Sequence, residues 1–348
     1  MSELAAEKGP LVSSETVLRC IVSFLITIVT HLALYMVSHL FPAFSLLSLL
    51  PCSAIVLIAV AALGRACKRL LLVRASAPAI VFLNIILIWS VYISQDLMNE
   101  LLDLAVVSTL SNILINIEFL ILVIGLCRIM SIDPGYVSVK SPHNLLENYD
   151  DSSSALEPDV ENIENSHLKE MMSSSCNKHC EFPCEKGIFL LERVRYCKQC
   201  KACVKGFDHH CPAFGNCIGE NNHILFIFLL TIFLITEATH AICSFKFTTK
   251  MQAQIGIELG QEISMYLVIS SMTFSLLQLL WQGPFLVWHI YCICFNIRTD
   301  EWINWKNYPE FHQVSQPRSG QPCREMRFIN PYDKGILRNV KELFEVKH

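Results

Sequence analysis

The chain has 348 residues, of which 53% are hydrophobic and only 17% charged, and its mean hydropathy is +0.43. Ordinary soluble domains carry ~25% charged residues, so this composition argues against one and for a membrane protein. The net charge is −4, without the basic stripe that neutralises nucleic-acid phosphates, and no nucleic-acid partner is expected.

In chain order, the first apolar run covers residues 17–41. Glu3, Glu7 and Glu15 precede it, and no small-residue cleavage site follows, so it reads as a retained span and not a signal peptide. Further runs lie at about 46–63, 77–94 and 104–127, then at 224–245, and a sixth inside 263–297, which holds no Asp, Glu, Lys or Arg. Each approaches the ~20 apolar residues that cross a bilayer core. The expected fold is an α-helical polytopic membrane protein with about six transmembrane helices, four before the cysteine-rich region and two after it. Residues 1–130 would hold an N-terminal segment and four spans, 131–222 a loop, 223–297 two spans and 298–348 a polar tail.

Loop charges set the orientation, because cytoplasmic loops retain Lys and Arg. Arg65, Lys68, Arg69 and Arg74 separate the second and third spans, whereas Asp96, Glu100 and Asp103 separate the third and fourth. Both termini and the cysteine-rich loop are then expected in the cytosol. Within that loop, residues 141–175 are rich in Ser, Asn and acid, with Lys169 as the single lysine, a composition expected to be disordered.

Eight cysteines, Cys176, Cys180, Cys184, Cys197, Cys200, Cys203, Cys211 and Cys217, fall within 42 residues. In a reducing cytosol such a cluster points to metal ligation rather than disulfides. Thiolates and imidazoles at the spacing Cys197-x2-Cys200, Cys203, His209-His210-Cys211, Cys217 suit tetrahedral zinc. If residues 209–211 are extended, His209 and Cys211 share one face and His210 points to the other. His210 with Cys197, Cys200 and Cys217 could then close a structural site. His209 would be left beside Cys211 as a base for a thiolate nucleophile, with Asp208 orienting its ring. The alternative makes Cys211 a further zinc ligand.

Asp208-His209-His210-Cys211-Pro212, followed by Asn216-Cys217-Ile218-Gly219, Asn222 and Phe226 and preceded by Cys197, Cys200 and Cys203, resembles the DHHC family of protein S-acyltransferases, the palmitoyltransferases. Asp133-Pro134-Gly135 is similar to that family's DPG element. Thr299-Asp300-Glu301 resembles the second half of its TTxE motif, and Asn330-Pro331-Tyr332, Gly335, Asn339 and Phe344 resemble its tail motif. The resemblance implies a two-step transfer of a palmitoyl or other long-chain acyl group from acyl-CoA through an acyl-Cys211 intermediate to substrate cysteines. His209 would be the base, Asp208 its orienter, and Thr299 a residue that fixes the Asp208 region. It also implies two structural zinc ions, palmitoyl-CoA as donor, cytosolic or membrane protein substrates with juxtamembrane cysteines, and an endomembrane (Golgi or ER) or plasma-membrane address.

The chain departs from the family pattern at several places. Tyr196 stands where a His ligand is usual, Ala213 where a Trp follows Cys-Pro, and Arg298 where the first Thr of TTxE belongs. The upstream Cys-x2-Cys pair is replaced by Cys176, His179, Cys180 and Cys184, so the first zinc site is expected to use Cys180, Cys184 and Cys203 with Cys176 or His179. These departures sustain an alternative reading, a catalytically impaired, zinc-stabilised membrane adaptor. Glu118 and Glu237 inside spans are expected to join helices, with Asn116 or Thr236 nearby, rather than to form a transport path. His31, His39, His240 and His289 read as packing residues without clustered partners. Trp281, Trp288, Trp302 and Trp305 suit an interfacial belt, and Cys127, Cys292 and Cys294 are juxtamembrane candidates for acylation.

Overall fold

The computed structural model describes residues 14–41, 45–71, 73–102, 104, 107–137, 193–253, 259–314 and 326–345. The acidic segment 141–175 and Cys176, His179, Cys180 and Cys184 lie outside the described residues. Among the described residues, six helices are long and apolar enough to cross a membrane: α1 (Ser14–Leu40), α2 (Leu46–Leu71), α3 (Ala77–Leu101), α4 (Thr109–Ser131), α5 (His223–Gln252) and α6 (Leu259–Cys294). Four precede the Cys/His-rich strands and two follow them, as expected for a multi-pass membrane protein.

Most helices run past the apolar stretch that announces them. α3 continues through Gln95, Asp96 and Asn99 to Leu101, because those residues are tolerated in a helix and nothing in the run breaks one. α4 begins five residues later than the apolar run. Ser108 caps it by accepting the Ser111 N–H at 3.2 Å, which satisfies a first-turn donor.

Small residues and polar pairs join the spans. α5 packs on α6 along most of its length, and α4 packs on α5. A Cβ on Gly125 of α4 would meet Leu229 Cδ2 of α5 at 2.1 Å, so glycine lets these two helices approach. Trp89 Nε1 and Tyr92 Oη on α3 donate to Asn116 Oδ1 at 2.8 Å and Asn112 Oδ1 at 3.1 Å on α4. Glu118 accepts from Thr239 Oγ1 at 3.0 Å. Its partner is thus Thr239, one helical turn from the expected Thr236, while Glu237 meets Ser275 on α6.

Two small sheets stand on one end of this bundle. Strands β1 (Tyr136–Val137), β2 (Val194–Cys197) and β3 (Ala202–Lys205) form an antiparallel sheet in the order β1-β3-β2, and β4 (His209–Cys211) pairs with β5 (Asn216–Ile218). Asn216 fastens the second hairpin to the helix bundle. Its Nδ2 donates to the carbonyls of Ile129 at 3.0 Å and Ile132 at 2.8 Å, at the end of α4, where helical carbonyls lack internal partners. Beyond α6 come a short helix α7 (Thr299–Asn304), a hairpin of β6 (His312–Val314) and β7 (Met326–Phe328), and the amphipathic α8 (Ile336–Phe344).

Candidate active site and metal centre

The β4–β5 hairpin carries most of the site. Its register sets His210 opposite Cys217 and Cys211 opposite Asn216, and the pleat sends successive side chains to opposite faces. His210 turns toward the first sheet. Its Nδ1 lies 3.8 Å from Cys197 Sγ, 3.4 Å from Cys200 Sγ and 3.7 Å from Cys217 Sγ, with 3.4 Å between the sulfurs of Cys200 and Cys217. Ligands on one tetrahedral zinc, with Zn–S near 2.3 Å and Zn–N near 2.0 Å, sit about 3.5–3.8 Å apart. These four residues therefore fit a metal ion. Burial, followed by the neighbouring thiols, pushes the Cys217 thiol up; a divalent cation among the sulfurs reverses that cost. Cys211 is not in the group of four. Cys203, on β3 opposite Tyr196, is disulfide-bonded, so its expected part in a first zinc site is not displayed.

On the other face of β4, Asp208 is fully buried and both its oxygens are engaged. Oδ2 accepts from His209 Nδ1 at 2.7 Å and Oδ1 from the Thr299 N–H at 2.9 Å, and its main-chain carbonyl accepts the Asp300 N–H at 3.0 Å. A carboxylate can only accept, which assigns the proton to His209 Nδ1 and leaves Nε2 available. Burial opposes the Asp208 charge, but the His209 hydrogen bond, with the neighbouring histidines behind it, holds the carboxyl well below its usual range. Burial likewise pulls His209 down, and its hydrogen bonds to Asp208 and Cys211 overcome this and raise it to about 9. Cys211 itself sits in an apolar cluster with Ile129, Phe226 and Leu229, against Ala213, Phe214 and Phe285.

Thr299 is held in place from a distance. Glu301, 1% exposed, takes a two-pronged pair from Arg193, with Nε to Oε1 at 2.8 Å and Nη2 to Oε2 at 2.6 Å, and also accepts the Arg298 N–H at 2.8 Å. Arg193 reaches on to Asn296 Oδ1 at 2.7 Å and covers the Tyr332 ring. This planar, bidentate geometry is one that lysine cannot reproduce. It ties the first sheet, α7 and the tail together.

His289 corrects the sequence reading. It has a cluster after all: its Nδ1 lies 3.9 Å from Asp208 Oδ2, its ring centroid 5.7 Å from that of His209, and Phe285 and Phe226 pack edge-on against it. Asp208, His209 and His289 form a second group with ligand-type atoms close together, although 2.7 Å between Asp208 and His209 is hydrogen-bond spacing, shorter than the ~3.3 Å between N and O ligands of one tetrahedral zinc. The sequence signal for His289 was its position as the lone imidazole in a stretch free of Asp, Glu, Lys and Arg. Arg193 offered none, since its partner is 108 residues away.

Comparison with known proteins agrees with this geometry. The profile described as DHHC palmitoyltransferase matches residues 177–306, which include both hairpins, α5, α6 and the Thr299–Glu301 element. Over these residues the chain is similar to the DHHC palmitoyltransferase family. DHHC relatives include probable protein S-acyltransferase 1 of Arabidopsis thaliana, 29% identical over 156 residues, 44% of this chain and 40% of that protein. Palmitoyltransferase AKR1 of Mortierella alpina is 30% identical over 127 residues, 33% of this chain and 23% of that protein. Mouse palmitoyltransferase ZDHHC7 is 37% identical over 65 residues, 18% of this chain and 21% of that protein. The chain thus spans less than half the length of these curated relatives.

Proposed function

We propose that the chain is a protein S-acyltransferase that carries a palmitoyl or similar long-chain acyl group on Cys211. The observation that carries this reading is the run from Thr299 through Asp208 to His209 and Cys211, with 2.9 Å and 2.7 Å hydrogen bonds fixing the carboxylate and the imidazole. An imidazole that holds its proton to about pH 9 supports an ion pair with the Cys211 thiolate at neutral pH, the reactive form of such dyads.

In the first half-reaction the Cys211 thiolate attacks the thioester carbonyl of acyl-CoA. The C–S bond to CoA breaks, and His209 gives its proton to the departing CoA thiolate. In the second, neutral His209 takes the proton of a substrate cysteine thiol, whose sulfur attacks acyl-Cys211 and regenerates the Cys211 thiolate. Asp208 stays ionised throughout, holding the ring and balancing its charge. The apolar surroundings of Cys211 favour an acyl chain, worth ~0.8 kcal/mol per buried CH₂. Ala213 with Phe214 forms part of that wall where the family places Trp.

Zinc held by Cys197, Cys200, His210 and Cys217 would brace the loop that presents Cys211, as a structural and not a reacting ion. A second ion on Cys180, Cys184 and Cys203, with Cys176 or His179 as the fourth ligand, would complete the metal sites and needs those thiols reduced. The Lys/Arg count favours a cytosolic site with both termini on the same side, and the family favours a Golgi, ER or plasma-membrane address. The adaptor alternative gains nothing from Arg298, because the Thr299 N–H still reaches Asp208. The test is transfer: purified protein, palmitoyl-CoA and a membrane-anchored peptide thiol should yield acyl-peptide and free CoA in equal amounts. CoA release without acyl-peptide would reject the second half-reaction.

A further inference from the structure

One buried imidazole beside Asp208 has no part in the chemistry proposed above. His289, near the end of α6, is 0% exposed, and neither its Nδ1 nor its Nε2 has a hydrogen-bond partner. A neutral imidazole carries one N–H, and burying that donor unsatisfied is costly. An apolar side chain of the same shape, such as phenylalanine, would fill the space without that cost.

The surroundings of His289 single out one acceptor. Phe285 and Phe226 hold its ring edge-on from two sides, with centroids 4.5 Å and 4.9 Å away. Among the described residues, Asp208 is the one carboxylate within 4 Å, its Oδ2 lying 3.9 Å from His289 Nδ1. That separation is about 1 Å beyond a hydrogen bond. Catalytic hydrogen bonds in unliganded sites are often long in this way and tighten around substrate. The carboxylate has room for another donor. Each oxygen offers two lone pairs, and Oδ2 has used one on His209 Nδ1 and Oδ1 one on the Thr299 N–H. Nδ1 is the His289 nitrogen on the Asp208 side, which assigns the ring proton to it.

We propose that His289 is a positioning residue, whose Nδ1–H donates to Asp208 Oδ2 in the reacting enzyme and fixes the carboxylate that orients His209. Asp208 then accepts from three elements at once: His209 on β4, the Thr299 N–H at the start of α7, and His289 on α6. A buried carboxylate held by several donors keeps both its charge and its direction. His289 acts through Asp208 and not on the reacting atoms. The inference deepens the acyltransferase reading and rests on it for the role of His209, but one arm of its test involves no acyl group.

The full chain, purified with its bound metal, is compared as wild type, His289→Phe and His289→Asn at equal metal content. Asparagine places an amide N–H close to where the imidazole Nδ1–H sits, whereas phenylalanine fills the space of the ring without a donor. Two rates are read at neutral pH: alkylation of Cys211 by iodoacetamide, followed by mass spectrometry of its peptide, and uptake of label from palmitoyl-CoA. His289→Phe should slow both by about tenfold or more, the effect of one hydrogen bond to a charged group. His289→Asn should recover most of that loss. Should the Phe variant fail to load metal, His289→Leu takes its place. Wild-type rates in the Phe variant overturn the proposal. So does an Asn variant as slow as the Phe variant, which would leave His289 a packing residue. A wild type that is alkylated but takes no label rejects the acyltransferase reading, and the alkylation pattern still decides the role of His289. A labelled wild type with an unimpaired Phe variant rejects the role of His289 alone.

Discussion

Two adjacent histidines take opposite parts, and the backbone decides which. His210 lies 3.4–3.8 Å from three sulfurs while His209 hydrogen-bonds Asp208. His210→Ala should lose bound metal, whereas His209→Ala should keep it and lose self-acylation, as metal content by mass spectrometry and acyl labelling will read. This division was legible from the alternation of an extended Asp-His-His-Cys run, and the Asp208 backing from its place in the motif. His289 was not legible, because it approaches Asp208 from 81 positions away and only the helix packing brings it there. The pH dependence follows from the same pair. His209 is raised above its ordinary 6.5 to about 9, so the stability its pairing contributes is fully present below pH 6.5 and is lost as pH rises through about 9. Asp208 is lowered from 3.8, so its contribution is present above that value and is lost as pH falls through the folded-state pKa. Self-acylation should therefore decline as pH rises through about 9. In Asp208→Asn the alkaline limb should move toward 6.5 and the neutral rate should fall by about 10²-fold or more; an unmoved limb would show that His209 does not set it.

At the scale of elements, the short α7 matters more than its six residues suggest. It places the Thr299 N–H on Asp208 because Glu301 is clamped by Arg193. Glu301→Ala leaves Arg193, whose side chain is 14% exposed, without its counter-charge in a mostly buried setting. It should cost about 3–5 kcal/mol, read as a lowered Tm, and reduce self-acylation with it; Asp300→Ala leaves that clamp in place and should retain activity much better. Helix existence was readable from apolar runs, but helix ends were not. Polar residues such as Gln95 and Asp96 extend α3 because they find partners on neighbouring spans, Ser244 for Gln95 at 3.0 Å and Asn112 for Asp96 at 2.5 Å. The partner of Glu118 was missed for the same reason. Thr239 lies 121 residues away, and no local pattern selects it over Thr236.

Across the whole molecule, six spans carry the loop sheets at one end of the bundle, with Asn216 tied to α4 and Asp208 to the segment after α6. The metal group joins β2 to the β4–β5 hairpin, so it bridges the two sheets. Chelation should then unfold the loop cooperatively and abolish activity outright, not slow it, as hydrogen exchange in residues 193–218 would show. A partial loss of rate with exchange unchanged would contradict a structural role. The spans and the metal chemistry were both visible in composition and spacing, since each depends on local sequence. Whether Cys211 carries the acyl group is read by hydroxylamine-sensitive labelling of purified wild type and Cys211→Ser by palmitoyl-CoA, with metal content checked in both. Label on the wild type alone, at equal metal content, is the predicted result. An unlabelled, metal-loaded wild type, or equal label on Cys211→Ser, would contradict it.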